Sequence, residues 1–264
     1  MLYLGSHDKS NKDAEPNELQ VAGKPLSVQG GNDWQARFLE LADTAKDPRL
    51  QRYYQAGIDA GITNPDLKLS EAPLLSIDFE TTGFDPQKHG IVSIGSMPFN
   101  LKRIFNQHAK QWLAKPRRAL NSESIVIHGI THSQLEAAPD LIEILDEVLE
   151  AIAGHILVVH YRGIERPFLD VALRERIGEG IQFPVIDTMQ LEARMHRAKP
   201  LSLWQRMRGK KQPSIRLADS RARYGLPWYH PHDAVTDALA TAELLQAQIA
   251  HHYSTDTTLA DVWC

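Results

Sequence analysis

Two carboxylates, Asp78 and Glu80, stand two residues apart where the apolar run 74–77 ends. Such a run reads as a buried strand, and strand side chains alternate faces, so both acids point the same way. Like charges crowded on one face repel and are costly to bury unpaired. A divalent cation removes that cost, and hard oxygen donors suit Mg2+ or Mn2+. Thr81, Thr82 and Gly83 then turn the chain out of the strand, offering small hydroxyls and backbone N–H groups to a ligand. The competing reading of Asp-x-Glu is an acidic strand end facing water, and the pair alone does not choose.

Two further groups carry chemistry. A second apolar run, 156–159, ends in His160, and Glu165 follows five residues later. Ligands of open α/β sheets gather beyond strand ends, so this end can lie near the first. At a helix start Glu165 is favoured by the helix dipole; the alternative is a capping glutamate paired with Arg162 or Arg166. The third group is His232 on a loop and Asp237 one turn inside a helical pattern from 234 to 248. A carboxylate held rigidly beside a mobile imidazole suits a cation ligand next to a general base. A surface loop histidine and an ordinary helix-face charge are the plainer alternatives. His230 rivals His232 but stands seven residues before Asp237; His155, His196, His251 and His252 show no spacing that suggests a metal.

The elements that must position these residues follow from periodicity. Residues 1–32 are polar and aperiodic, a tail. Trp34, Phe38 and Leu41, then Leu50 and Tyr54, predict two short amphipathic helices between 33 and 60, broken near Asp47-Pro48. A connection, 61–73, leads to strands at 74–77, 91–95 and 103–107, joined tightly enough to be antiparallel neighbours. Helices are expected at 140–152 and 168–177, strands at 156–159 and 185–187, and further helices to about 252. This order predicts an α/β domain on a mixed sheet spanning 73–252, with 1–72 as an N-terminal extension and 253–264 as a tail.

At 264 residues, 42% hydrophobic and 23% charged, the chain has room for one sizeable domain and an appendage. A net charge of −4 gives bulk charge no voice for a nucleic-acid partner, so that argument must be local. The sole cysteine, Cys264, excludes an internal disulfide framework, and no signal peptide or membrane-length apolar run is visible. The expectation is a soluble cytoplasmic protein.

Taken in order, Asp78-Phe79-Glu80-Thr81-Thr82-Gly83, His160-x4-Glu165 and His232-x4-Asp237-Ala238 resemble the three-motif layout of the DnaQ-like (DEDDh) 3′–5′ exonucleases. The resemblance covers roughly 74–250, with support from Val126-Ile127-His128-Gly129-Ile130-Thr131, Ile186-Asp187-Thr188 and residues 217–227. It implies a ribonuclease H-like fold, a mixed five-stranded sheet flanked by helices. It also implies Asp78, Glu80, Glu165 and Asp237 as ligands of two Mg2+ or Mn2+ ions, His232 as base, and Thr81, Thr82, Gly83, His128 and His160 near the terminal nucleotide. The sequence departs from the family's pattern with Glu165 where Asp is usual and Tyr161 where Asn is usual.

Local charge fits a polyanion. Ten Lys and Arg lie between 194 and 223 against one Asp, and Lys115, Arg117 and Arg118 cluster upstream. Arg208, Lys210 and Lys211 with Trp204 form the expected nucleic-acid surface, Trp204 stacking on a base unless it belongs to the core. The resemblance implies hydrolysis from the 3′ end of single-stranded DNA or RNA, releasing 5′-monophosphates. The alternatives are a catalytically weakened binding or polymerase-associated module and an enzyme for short RNA or RNA ends. Residues 1–72 are a candidate surface for a protein partner.

Overall fold

The computed structural model describes residues 33–117, 130–198, 204, 207–209 and 211–264. The expected helical pair is present as α1 (Trp34–Thr44) and α2 (Pro48–Asp59). Asp33 and Asp47 cap them by accepting from the N–H groups of Ala36 and Arg49, and Pro48 begins α2 where no N–H is needed. Trp34, Phe38, Tyr53 and Tyr54 pack edge to face and join the core of the following domain. Residues 33–72 therefore belong to the same compact unit as the sheet.

The expected five-stranded mixed sheet has the order β3-β2-β1-β4-β5. Strands β1 (Leu74–Thr81), β2 (Ile91–Phe99) and β3 (Lys110–Leu113) are antiparallel neighbours; β4 (Ile156–Val159) and β5 (Val185–Asp187) add in parallel on the other side of β1. The third strand is thus not at 103–107. Asn100 accepts from the N–H groups of Lys102 and Arg103, folding the chain back at once, and a 3-10 turn at Asn106–His108 precedes pairing. Trp112 is the buried residue that seats β3, its indole N–H donating to Glu147 at 3.2 Å.

Helices α3 (His132–Ala137) and α4 (Leu141–Ile152) cross from β3 to β4, and α5 (Glu165–Ile177) joins β4 to β5. Helix α5 begins three residues before the expected 168, because Pro167 falls in the first turn, where a missing N–H costs nothing. Beyond β5 come α6 (Thr188–His196), α7 (Leu217–Arg223), α8 (Ala234–His252) and α9 (Leu259–Val262). The segment 253–264 is packed: Leu259, Val262 and Trp263 enter the core, and Cys264 exchanges backbone hydrogen bonds with Val185 on the edge strand. Among the described residues, no helix is long and apolar enough to cross a membrane.

Candidate active site

The acids of β1 meet the third motif because of a missing side chain. Asp78 is paired across the sheet with Gly95, on the face that α8 crosses. A Cβ on Gly95 would lie 2.2 Å from the carbonyl carbon and oxygen of Ala234, the first residue of α8. Glycine at 95 therefore lets the helix start sit on the sheet, which brings Asp237 to the strand end. Oxygens of Asp78, Glu80 and Asp237 all lie within 4.8 Å of one another. A register shift between Glu80 and Thr81 marks a bulge there, of the kind that re-aims side chains beside functional sites.

The electrostatics match that crowding. Asp78 is held well above the usual carboxylate range, first by burial and then by Asp237, Glu80, Glu165 and Asp233. Burial raises Asp237 to about 6, opposed by the hydrogen bond from the His232 N–H. Glu165, the first residue of α5, is 2% exposed and its Oε2 has no hydrogen-bond partner. Burial pushes its pKa up to about 8. Glu165 is not among the three mutually close acids, although its charge still adds to the pressure on Asp78. Three converging hard oxygens and an unpartnered buried carboxylate oxygen fit divalent cations such as Mg2+ or Mn2+, which would relieve both repulsion and burial.

The second motif is shaped by Asp187, a residue of the supporting stretch Ile186-Asp187-Thr188 rather than of the three motifs. Its buried carboxylate accepts from the N–H groups of Tyr161 (3.1 Å) and Arg162 (3.1 Å) and caps α6 through Met189 and Gln190. Tyr161 takes a positive φ of 93°, and its ring lies against Gly163, where a Cβ would meet it at 2.6 Å. These bonds turn the chain from β4 so that Glu165 enters at the head of α5.

His160 is engaged at both ring nitrogens, Nδ1 with the Thr188 hydroxyl at 2.8 Å and Nε2 with the Ile215 carbonyl at 3.1 Å. Burial lowers its pKa to about 4, so it is neutral, with Nε2–H donating to the carbonyl. It ties β4 to α6 and to residue 215. The threonine hydroxyls also act within the turn: Thr81 donates to the Gly83 carbonyl, and Thr82 accepts from the Gly90 N–H. Gly83 leaves space that the His89 ring fills, 2.6 Å from a Cβ position. His232 is exposed, with a left-handed φ of 72°, and its N–H reaches Asp237 Oδ2 at 2.9 Å.

Several basic residues have structural partners. Arg117 pairs with Asp140, Arg194 and Arg197 bond the carbonyls of Asp261 and Pro213, and Arg223 pairs with the buried Glu192. Arg221 is itself buried. Lys115, Arg208 and Lys211 are exposed, and Trp204 is 71% exposed rather than a core residue. His128, Arg118 and Lys210 lie outside the described residues.

The Exonuclease family model (RNase_T) matches residues 75–245. DNA polymerase III PolC-type of Thermotoga maritima is 27% identical over 237 residues, 82% of this chain but only 16% of that protein's length. DNA polymerase III subunit epsilon of Treponema pallidum is 27% identical over 177 residues, 67% of this chain and 76% of that one. The nuclease domain of 3′hExo, a DEDDh family member solved bound to rAMP, superposes with a TM-score of 0.55 at 17% identity over 68% of this chain and 92% of that one. Cell-death related nuclease 4 gives 0.55 at 18%, over 68% of this chain and 64% of that one.

Proposed function

This chain belongs to the exonuclease family, in its DnaQ-like 3′–5′ group, and from that premise we propose that it removes 5′-monophosphates from the 3′ ends of single-stranded DNA or RNA. The convergence of Asp78, Glu80 and Asp237 at the end of β1 carries the reading. In it, Asp78, Glu80 and Asp237 hold divalent cations, with Glu165 completing the set. Such cations, when bound, supply charge neutralisation at the scissile phosphate and make water a stronger acid.

The chain's own residues do the rest. His232, on the loop beside Asp237, takes the proton from the water that attacks phosphorus. An imidazole has one ring nitrogen free to accept a proton, which is the chemistry a general base needs. Asp237 stays aligned because it also accepts the His232 N–H. Thr81, Thr82 and Gly83 shape the turn that meets the terminal nucleotide, with His160 fixing the strand end behind it and His128 proposed alongside. Lys115, Arg118, Arg208, Lys210, Lys211 and Trp204 are proposed to meet the strand upstream. Arg117 is engaged by Asp140 and contributes less. A reducing cytoplasm suits a chain with one thiol. Polymerase association and a partner for residues 1–72 belong to the same proposal.

A second reading is supported by Glu165 lying outside the close trio: a nucleic-acid-binding module with weakened catalysis. One assay separates them. A 5′-labelled single strand with Mn2+ is expected to give a ladder shortened from the 3′ end, lost in Asp78→Ala and His232→Ala. A mobility shift without shortening favours the binding module. Rates on matched DNA and RNA strands, down to dinucleotides, identify the preferred substrate.

A further inference from the structure

The segment from Leu226 to His232 has no helix or strand of its own, and Trp228 within it is 67% exposed. So exposed a loop can hold a side chain in register only where something pins it. At its far end the pin is the His232 N–H on Asp237. At its root the pin is Arg221, in the last turn of α7, which is 3% exposed.

Arg221 spreads its guanidinium over α8 and the loop. Nη1 donates to the Ala240 carbonyl of α8 at 2.6 Å. Nη2 donates to Glu243 Oε2 at 2.7 Å and to the Pro227 carbonyl at 2.9 Å. The central carbon of the group lies over the Tyr229 ring, 4.6 Å from its centre, and the Tyr229 hydroxyl donates to the other oxygen of Glu243 at 3.0 Å. The Leu226 N–H also bonds the Arg221 carbonyl at 3.2 Å. A buried guanidinium is costly to desolvate, and apolar packing would join two helices as well. What the fork and the cation–π contact add is a hold on the backbone and ring of the loop itself.

We propose that Arg221, Glu243 and Tyr229 form a clamp that sets the position of His232, and that they are positioning residues for hydrolysis. The proposal rests on the reading of His232 as the base. Residues 227 and 229 are held against α7 and α8, and His232 is tied to Asp237, so the stretch between two fixed points carries the imidazole.

The test uses the full chain with Mn2+ and a labelled single strand. Tyr229→Phe keeps the ring over the guanidinium and removes the link to Glu243; Arg221→Lys keeps the charge and loses the fork. Each is expected to lower kcat about 10-fold to 100-fold, with KM held within about twofold, as misplacement of a base predicts. Amide exchange should quicken in 226–232 and not along α8. Tyr229→Phe added to His232→Ala should slow the residual rate no further, because the clamp acts through the imidazole. If Arg221→Lys does not fold, Tyr229→Phe decides alone. Wild-type kcat in a folded Tyr229→Phe, or additive losses in the double variant, overturns the clamp. Full turnover by His232→Ala overturns the base assignment instead, and the clamp with it.

Discussion

The main-chain N–H of His232 donates to Oδ2 of Asp237 at 2.9 Å, so the proposed base and a proposed cation ligand are joined through the backbone rather than through the ring. The bond is made from a left-handed backbone at His232, where φ is 72°. It also draws Asp237 down from the pKa that burial would otherwise give it. The loop conformation and the acid's charge are therefore one arrangement, and disturbing either affects both.

A left-handed φ is costly for any residue with a Cβ. His232→Gly is accordingly expected to be more stable than His232→Ala by about 1 kcal/mol, with both inactive. Urea unfolding of the two variants checks it. Equal stabilities would mean that the backbone at 232 relaxes without the imidazole.

Gly95 is expected to admit no side chain. Alanine there would drive its Cβ into the Ala234 carbonyl, so the start of α8 must move and carry Asp237 with it. Gly95→Ala should lose about 1–3 kcal/mol of stability by overpacking. Calorimetry with Mn2+ should show weakened binding as well; an unchanged isotherm would show that Asp237 keeps its place without this contact.

Asp78 lies among four other acids that raise its pKa. In chelator, Asp78→Asn removes repulsion and should stabilise the protein by about 1–2 kcal/mol while abolishing turnover. Conversely, adding Mn2+ should raise the melting temperature of the wild type more than that of the variant. A variant less stable than wild type in chelator would place the cause elsewhere than in charge crowding.

Glu165 sets a pH dependence of stability in the metal-free protein. Its pKa rises from 4.5 to about 8 on folding, so its contribution is complete below pH 4.5 and is lost as pH climbs through about 8. His160 works the other way. Its pKa falls from 6.5 to about 4, so its contribution is complete above pH 6.5 and is lost as pH falls towards 4. Thermal unfolding of Glu165→Gln against wild type, in chelator, should show the wild type losing ground steadily from about pH 5 to about pH 9. A constant difference across that range would mean that Glu165 is solvated in the folded state.

Read alone, the sequence already determined most of the element order and the three acidic stretches. Apolar runs ending in Asp78 and His160 had to be buried strands, the stripe at 140–152 had to be a helix, and the spacing of His232 and Asp237 had to put one on a loop and the other in the first turn. Periodicity reports which side of an element is buried, and that is a local property. It placed β3 too early because the Asn100 turn depends on a side-chain hydrogen bond rather than on hydrophobic pattern. It also read the basic stretch from 194 to 223 as surface charge. Arg221 and Arg223 are spent on Glu243 and Glu192, acids brought to them only by folding.

Tertiary structure alone decided that Gly95 admits α8 to the sheet, that Asp187 bends the second motif into place, and that Glu165 is buried with one oxygen unpartnered. Each depends on contacts between segments distant in the chain. Close approach and shared burial are properties of pairs, and no one-dimensional pattern carries them.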